Sequence, residues 1–294
     1  MFRNSCELAR HFVRPAYTSI QTFDGRVGSG IGAYVVINEE GWAVTAAHLI
    51  TEIVQCHQDQ EAIRDYDKRI LEIRLEGNAG KSQSLRKKLD REIGLALKDR
   101  GPYIRRAGIL WSNPAVISTQ DHVYQLADIM VFKLENVDAL EVDIFPKFKR
   151  PAGLAAGTSV VRSGYAFNET KCSFDDAKNE FINETQSSPL FASEGIISRN
   201  WIMTEPTSGQ TIHVIQTSSP GLKGQSGGPL LDADGAILAI QSSTVCLDLQ
   251  FDAFSADHKG QYKERQFLNV GQGISTQTLE EIFERHGIAA DWVD

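Results

Sequence analysis

Ser226 stands in the frame Gly224-Gln225-Ser226-Gly227-Gly228-Pro229, and two distant residues could make its hydroxyl reactive. His48 closes the run Gly41-Trp42-Ala43-Val44-Thr45-Ala46-Ala47-His48, and Asp128 sits in Ala127-Asp128-Ile129, ahead of the apolar Met130-Val131-Phe132. A serine hydroxyl is a poor nucleophile at neutral pH and needs a base to take its proton. An imidazole can be that base, while a carboxylate fixes its tautomer and steadies the imidazolium. The glycines beside Ser226 permit a sharp turn and a close approach by a carbonyl substrate. Taken singly, the three have plain readings: a glycine-rich turn, a core histidine and a turn-capping aspartate. Their ordered combination points to acyl chemistry.

The elements that must hold these residues are mainly strands. Residues 15–50 alternate short apolar runs with glycines and acidic turns, which predicts β-hairpins. At about residue 51 the pattern changes. Ile63, Tyr66, Ile70 and Ile73 share one helical face, and Leu85, Leu89, Ile93 and Leu97 repeat at four. Gly77-Asn78-Ala79-Gly80 divides the two runs and Gly101-Pro102 stops the second, so a helical hairpin is predicted over about 57–100. That insertion accounts for the 128 − 48 = 80 positions between histidine and aspartate. Strand patterning resumes over 103–111 and 128–134. Residues 139–153 read as a connection between two barrels, and the second half is strand-rich to about 275. A final helix is expected over Thr278–His286, capped by Gly287.

Gly224-Gln225-Ser226-Gly227-Gly228 also fits the Gly-x-Ser-x-Gly elbow of α/β-hydrolases, which requires a helix after the serine and the order Ser, acid, His. Here Pro229-Leu230-Leu231 leads to the turn Asp232-Ala233-Asp234-Gly235 and the apolar run 236–240, a hairpin signal. The elbow is excluded.

The ordered motifs resemble the trypsin/chymotrypsin-like superfamily, and within it the bacterial HtrA-like branch. Gly28-Ser29-Gly30-Ile31-Gly32 before Tyr34-Val35-Val36-Ile37, together with the run ending at His48, resembles its first hairpin and catalytic histidine. Ser159–Tyr165 and Ser193–Ser198 resemble strands of the second barrel, and 217–229 followed by 237–243 resembles the nucleophile loop and substrate strand. The resemblance implies an all-β fold of two antiparallel barrels, with the helical hairpin inserted and a helix at the end. The first barrel, 1–145, would carry His48 and Asp128, and the second, 146–294, would carry Ser226. A domain of the PDZ kind is not expected after the last helix.

The same resemblance implies a serine endopeptidase acting on a protein or peptide, with no cofactor and no metal. The amides of Gly224 and Ser226 would form the oxyanion hole, where an amide pair meets developing charge. Gln241, Ser242 and Ser243 would offer an open strand edge to the substrate backbone. Pro220, six before the serine, replaces the aspartate that selects basic side chains in trypsin, so a small or medium apolar P1 residue is expected. Lys223 would stand at the pocket mouth. Gln225 occupies the position whose aspartate pairs with a new N-terminus in secreted relatives, so activation by that route is not expected. Ordering of loops 165–192 and 217–224 would control activity instead. The alternative is a latent or partner-regulated peptide-binding module. The helical hairpin reads as decoration on the first barrel or as a dock for a regulatory protein.

Composition bounds the rest. The 294 residues suffice for a sizeable core, and a net charge of −8 with a pI near 5.4 argues against nucleic-acid binding. No run reaches the length of a membrane span, and the first ten residues lack a secretory apolar segment. Cys6, Cys56, Cys172 and Cys246 are widely spaced, which predicts free thiols and a cytoplasmic location.

Overall fold

Residues buried on both faces of a strand read as continuous apolar runs, and β3, Trp42–Ala46, is buried at all five positions. The computed structural model describes residues 1–75, 79–96, 102–184, 188–204, 209–257 and 260–294. Among the signals used above, Gly77, Asn78, Leu97 and Gly101 lie outside the described residues.

The chain opens with helix α1 (Arg3–Phe12), then strands β1 (Val13–Thr22), β2 (Val27–Val36) and β3. A short 3₁₀ turn, Ala47–Ile50, runs into helices α2 (Thr51–Leu75) and α3 (Ala79–Ala96). Strands β4 (Ile104–Trp111), β5 (Ile117–Tyr124) and β6 (Ile129–Glu135) complete a six-stranded antiparallel sheet, ordered β4-β1-β2-β3-β6-β5.

After β7 (Lys147–Lys149) come β8 (Ser159–Gly164), the hairpin β9 (Lys171–Asp175) and β10 (Glu180–Glu184), then β11 (Phe191–Thr204) and β12 (Thr211–Thr217). Strands β13 (Pro229–Leu231), β14 (Ile237–Asp257) and β15 (Gly260–Ser275) precede helix α4 (Thr276–His286) and β16 (Asp291–Val293). The order β13-β8-β11-β12-β15-β14 closes on itself because β13 also pairs with β14. Strands β7 and β16 extend the β14 edge in parallel. The fold is mainly β and trypsin-like, as expected.

Strand alternation places two cores. Tyr34, Val36 and Ala43 point into the first sheet's own interior with Trp111 and Phe132. Their neighbours Ala33, Val35 and Val44 point the other way and join Leu231 and Ile240 of the second sheet and Phe283 of the helix that follows it in one cluster. A single apolar seam therefore fixes the two sheets against each other.

Three elements differ from the sequence reading. Helix α1 was not anticipated; its Ala9 and Phe12 are buried in the shared cluster, and Ser5 Oγ donates to Asp232 O at 2.8 Å. With only ten residues, its apolar period was too short to stand out. Helix α2 begins at Thr51, directly after the turn that holds His48 and ahead of the expected start near 57; its Ile53 and Val54 pack on the first sheet's core. Helix α4 begins at Thr276, where Ser275 accepts from the Gln277 amide; Gly287 caps it with φ 63°.

The inner half of α2 packs on the first sheet. Cys56 and Ile63 are buried, and the buried Asp59 carboxylate accepts from the Ile104 amide at 2.8 Å and from Gln55 at 2.8 Å. Helix α3 lies against α2, with Leu89 buried and Arg69 bridging to Glu92.

Candidate active site

His48 lies in the 3₁₀ turn that ends β3, and Asp128 immediately precedes β6, its hydrogen-bonded neighbour. Pairing of β3 with β6 therefore brings residues 80 apart in sequence side by side. Asp128 adopts a left-handed backbone, φ 51°, which aspartate tolerates better than most residues. Its carbonyl accepts from the Ala47 amide at 3.1 Å, and its Oδ1 accepts from the His48 amide at 2.8 Å. The Oδ2 atom lies 2.8 Å from His48 Nδ1, so the imidazole is held by its Nδ1 side, and Nε2 has no hydrogen-bond partner among the described residues.

The carboxylate has a third partner. Ser242 Oγ donates to Asp128 Oδ2 at 2.6 Å. Burial pushes the Asp128 carboxyl up, but the hydrogen bonds from His48 and Ser242 outweigh it and hold the group below its ordinary range. The hydrogen bond to Asp128 raises the His48 imidazole above its ordinary value, against the opposing effect of burial.

Ser226 arrives from the second sheet. Its carbonyl accepts from the Ala33 amide of β2 at 2.8 Å, so the loop that carries Ser226 is tied across the seam to the first sheet. Gly227 must be glycine: its φ is 81°, and a Cβ there would lie 2.1 Å from Ala33 O and 2.2 Å from Thr45 Oγ1. Gly224 has φ 94°, and a Cβ would lie 2.4 Å from Tyr165 O. The Gly224 carbonyl turns away to accept from the Tyr165 amide at 2.8 Å. Within the described chain the Gly224 and Ser226 amides donate to no acceptor. Ser226, His48, Gly224 and Lys223 line one open cleft, whose other wall is Gly28–Ile31 of β2.

Gln225 is completely buried. Its Oε1 accepts from the Leu222 amide at 3.0 Å and its Nε2 donates to Phe191 O and Ser193 Oγ. A neutral amide thus anchors the loop in the place where secreted relatives were expected to need a charge pair.

The remaining predicted residues are placed differently from one another. Lys223 is exposed on the cleft. The Pro220 carbonyl accepts from Arg162 Nη1 at 3.0 Å. The Gln241 amide donates to Gly228 O and its carbonyl accepts from Gly227, both at 2.8 Å, so its backbone is already paired. Its side chain and that of Ser242 are turned inward. From Ser243 onward, the edge of β14 away from β15 has no strand beside it among the described residues. Sequence reading missed two residues here: the Ser242 hydroxyl as a prop for Asp128, and Arg162. The signal for Arg162 was a charge inside the apolar run Ser159-Val160-Val161-Arg162-Ser163-Gly164. No group of side chains that could hold a metal ion occurs among the described residues.

The model of the trypsin-like peptidase domain matches residues 28–240, a span that holds His48, Asp128, Arg162 and Ser226. The chain belongs to the trypsin-like peptidase family. Its fold is similar to that of the HtrA-type protease AlgW with decapeptide, at 14% identity and TM-score 0.51, over 97% of this chain and 66% of that one. The active form of the Rv3671c protease from M. tuberculosis is 11% identical with TM-score 0.50, over 98% of this chain and 86% of that one. For AlgW with tripeptide the identity is 16% and the TM-score 0.47, over 97% of this chain and 62% of that one. The chain thus spans about two thirds or less of the length of these two AlgW chains. No curated protein matches the sequence. No described helix is long and apolar enough to cross a membrane.

Proposed function

We propose that the protein is a serine endopeptidase whose triad is His48, Asp128 and Ser226. The observation that carries this reading is the 2.8 Å contact of His48 Nδ1 with Asp128 on the cleft that Ser226 also lines. In the proposed reaction His48 Nε2 takes the Ser226 proton as Oγ attacks the peptide carbonyl. The free amides of Gly224 and Ser226 supply the oxyanion donors. The imidazolium, steadied by Asp128, then gives its proton to the leaving amine, and water repeats the cycle through the acyl-enzyme. The substrate backbone adds along the open edge of β14 from Ser243, and Lys223 and Pro220 border its binding region.

A cytoplasmic location belongs to the same reading; Cys6, Cys56, Cys172 and Cys246 are all free thiols, which suits a reducing compartment. The packing of α2 on β4 supports decoration of the first barrel over a dock for a regulatory protein.

One observation favours the second reading, a latent peptide-binding module: among the described residues no hydrogen bond joins Ser226 Oγ to His48. A fluorophosphonate probe separates the two. The proposal expects covalent labelling that disappears in Ser226→Ala, with kcat on peptides falling about 10⁶-fold in that variant. Peptide binding without any labelling would establish the latent module.

A further inference from the structure

Arg162 lies in the middle of β8 with 1% of its surface exposed, and no carboxylate pairs with it among the described residues. Its partners are all neutral. Nε donates to Gln241 Oε1 at 2.6 Å, Nη1 to Ser219 Oγ and Pro220 O, and Nη2 to Thr217 Oγ1 at 2.6 Å. Four of the five N–H hydrogens are thereby placed. Burial lowers the guanidinium pKa to about 10, so it stays charged at neutral pH. A buried charge without a counterion is unfavourable, and its field in a low-dielectric surrounding is strong.

Three segments converge on this cation beside the nucleophile loop. Thr244 Oγ1 donates to Gly221 O at 2.7 Å, and the Gly271 amide donates to Ser219 O at 3.0 Å. Gly271 is so close that a Cβ there would sit 2.3 Å from Arg162 Nη2. Gln241 links the cation to this wall. Because Arg162 is a donor, the oxygen of the Gln241 amide must face it, and the NH₂ end must face the opposite way. That end donates to Ser243 O at 2.8 Å and lies against Gly221, where a Cβ would be 2.1 Å away. Among the described residues, one of its two hydrogens has no acceptor. Gln241 O in turn accepts from Gly227, the residue after Ser226.

We propose that the wall formed by Gly221, Gln241 and Ser243 is the P1 pocket and that it selects an acidic side chain, glutamate or aspartate. This rests on the serine-peptidase reading and replaces the apolar P1 expected from Pro220. The free N–H of Gln241 meets the P1 carboxylate, and Arg162 behind it supplies the charge that the carboxylate balances. A neutral acceptor such as glutamine satisfies the hydrogen bond but not the field, and therefore ranks second.

The test uses the full chain and peptides that differ only at P1: Glu, Asp, Gln, Leu, Ala and Lys. The kcat/KM for Glu is expected to exceed that for Leu by at least about 30-fold, because a site built to bond a polar group rejects its apolar replacement. Gln241→Met, of similar length, should reduce the Glu-to-Leu ratio about tenfold. Gln241→Glu gives Arg162 its counterion from within the chain and should place Glu below Leu. If Arg162 and Gln241 only brace the loop, both variants slow every peptide alike with an unchanged ratio, and the proposal is wrong. Wild-type labelling by fluorophosphonate with Leu or Ala preferred overturns the pocket and leaves the peptidase reading standing. Absence of labelling sinks the peptidase reading instead. The affinities of Ser226→Ala for the same peptides, by fluorescence anisotropy, then decide the pocket: tighter binding of Glu supports it, and equal binding overturns it.

Discussion

Asp128 gathers three donors on one carboxylate, the His48 amide, the His48 ring and the Ser242 hydroxyl. The pairing with His48 has a consequence for pH dependence. A base must be neutral to accept a proton, and Asp128 raises the imidazole above its ordinary 6.5. The acid limb of kcat/KM should therefore lie on the alkaline side of that value. Asn tolerates the left-handed backbone at 128, so Asp128→Asn keeps the turn but removes the charge and offers the wrong tautomer. We expect kcat to fall about 10⁴-fold and the limb to move to lower pH. A profile of kcat/KM between about pH 5 and 9 measures both. A wild-type limb at or below the ordinary imidazole value would count against the ion pair.

Among the elements, α2 is tied to β4 by Gln60, Asp67 and Asp59, and of these Asp59 is the completely buried one. Asp59 is completely buried and accepts from the Ile104 amide at the start of β4. Asp59→Ala leaves that amide buried without this acceptor, at a cost of about 1–3 kcal/mol. For a chain of this size the melting temperature should drop by roughly 2–4 °C per kcal/mol, read by calorimetry. Fluorophosphonate labelling of Ser226 should persist, because the loop is fixed by β2 and β14 rather than by the hairpin. An unchanged melting temperature would show that α2 is held elsewhere. The hairpin was legible from its 3.6-residue period. Its anchor was not, since an aspartate on a polar face has no partner until β4 is placed beside it.

On the scale of the whole molecule, the two sheets are joined by the apolar seam and by α4. His286 of α4 stacks on His122 of β5 with ring centroids 3.7 Å apart, and its Nε2 lies 2.6 Å from the Tyr124 hydroxyl. Burial lowers the His286 pKa, and the neighbouring His122 and Arg285 lower it further. The unfolded chain therefore takes up the proton first. Stability from the neutral stack is present above the unfolded value near 6.5 and is lost as pH falls through the folded value. His48 acts in the opposite direction, so the comparison must be with His286→Phe. The melting temperature of the wild type should exceed that of the variant at neutral pH and lose its advantage on acidification to about pH 5. A constant difference would remove His286 from the account.

The order His, Asp, Ser and the glycines around Ser226 were readable in the chain because their chemistry is carried by residue type and immediate neighbours. So were the strand-rich halves, since a face buried every second residue leaves a period in the sequence. Where Ser242 and Arg162 belong was settled by tertiary structure alone. A serine in a polar triplet and an arginine in an apolar strand look alike in any fold until strand pairing brings Asp128 to the one and Gln241 to the other. Periodicity records which face is covered; it holds no information on which distant side chain covers it.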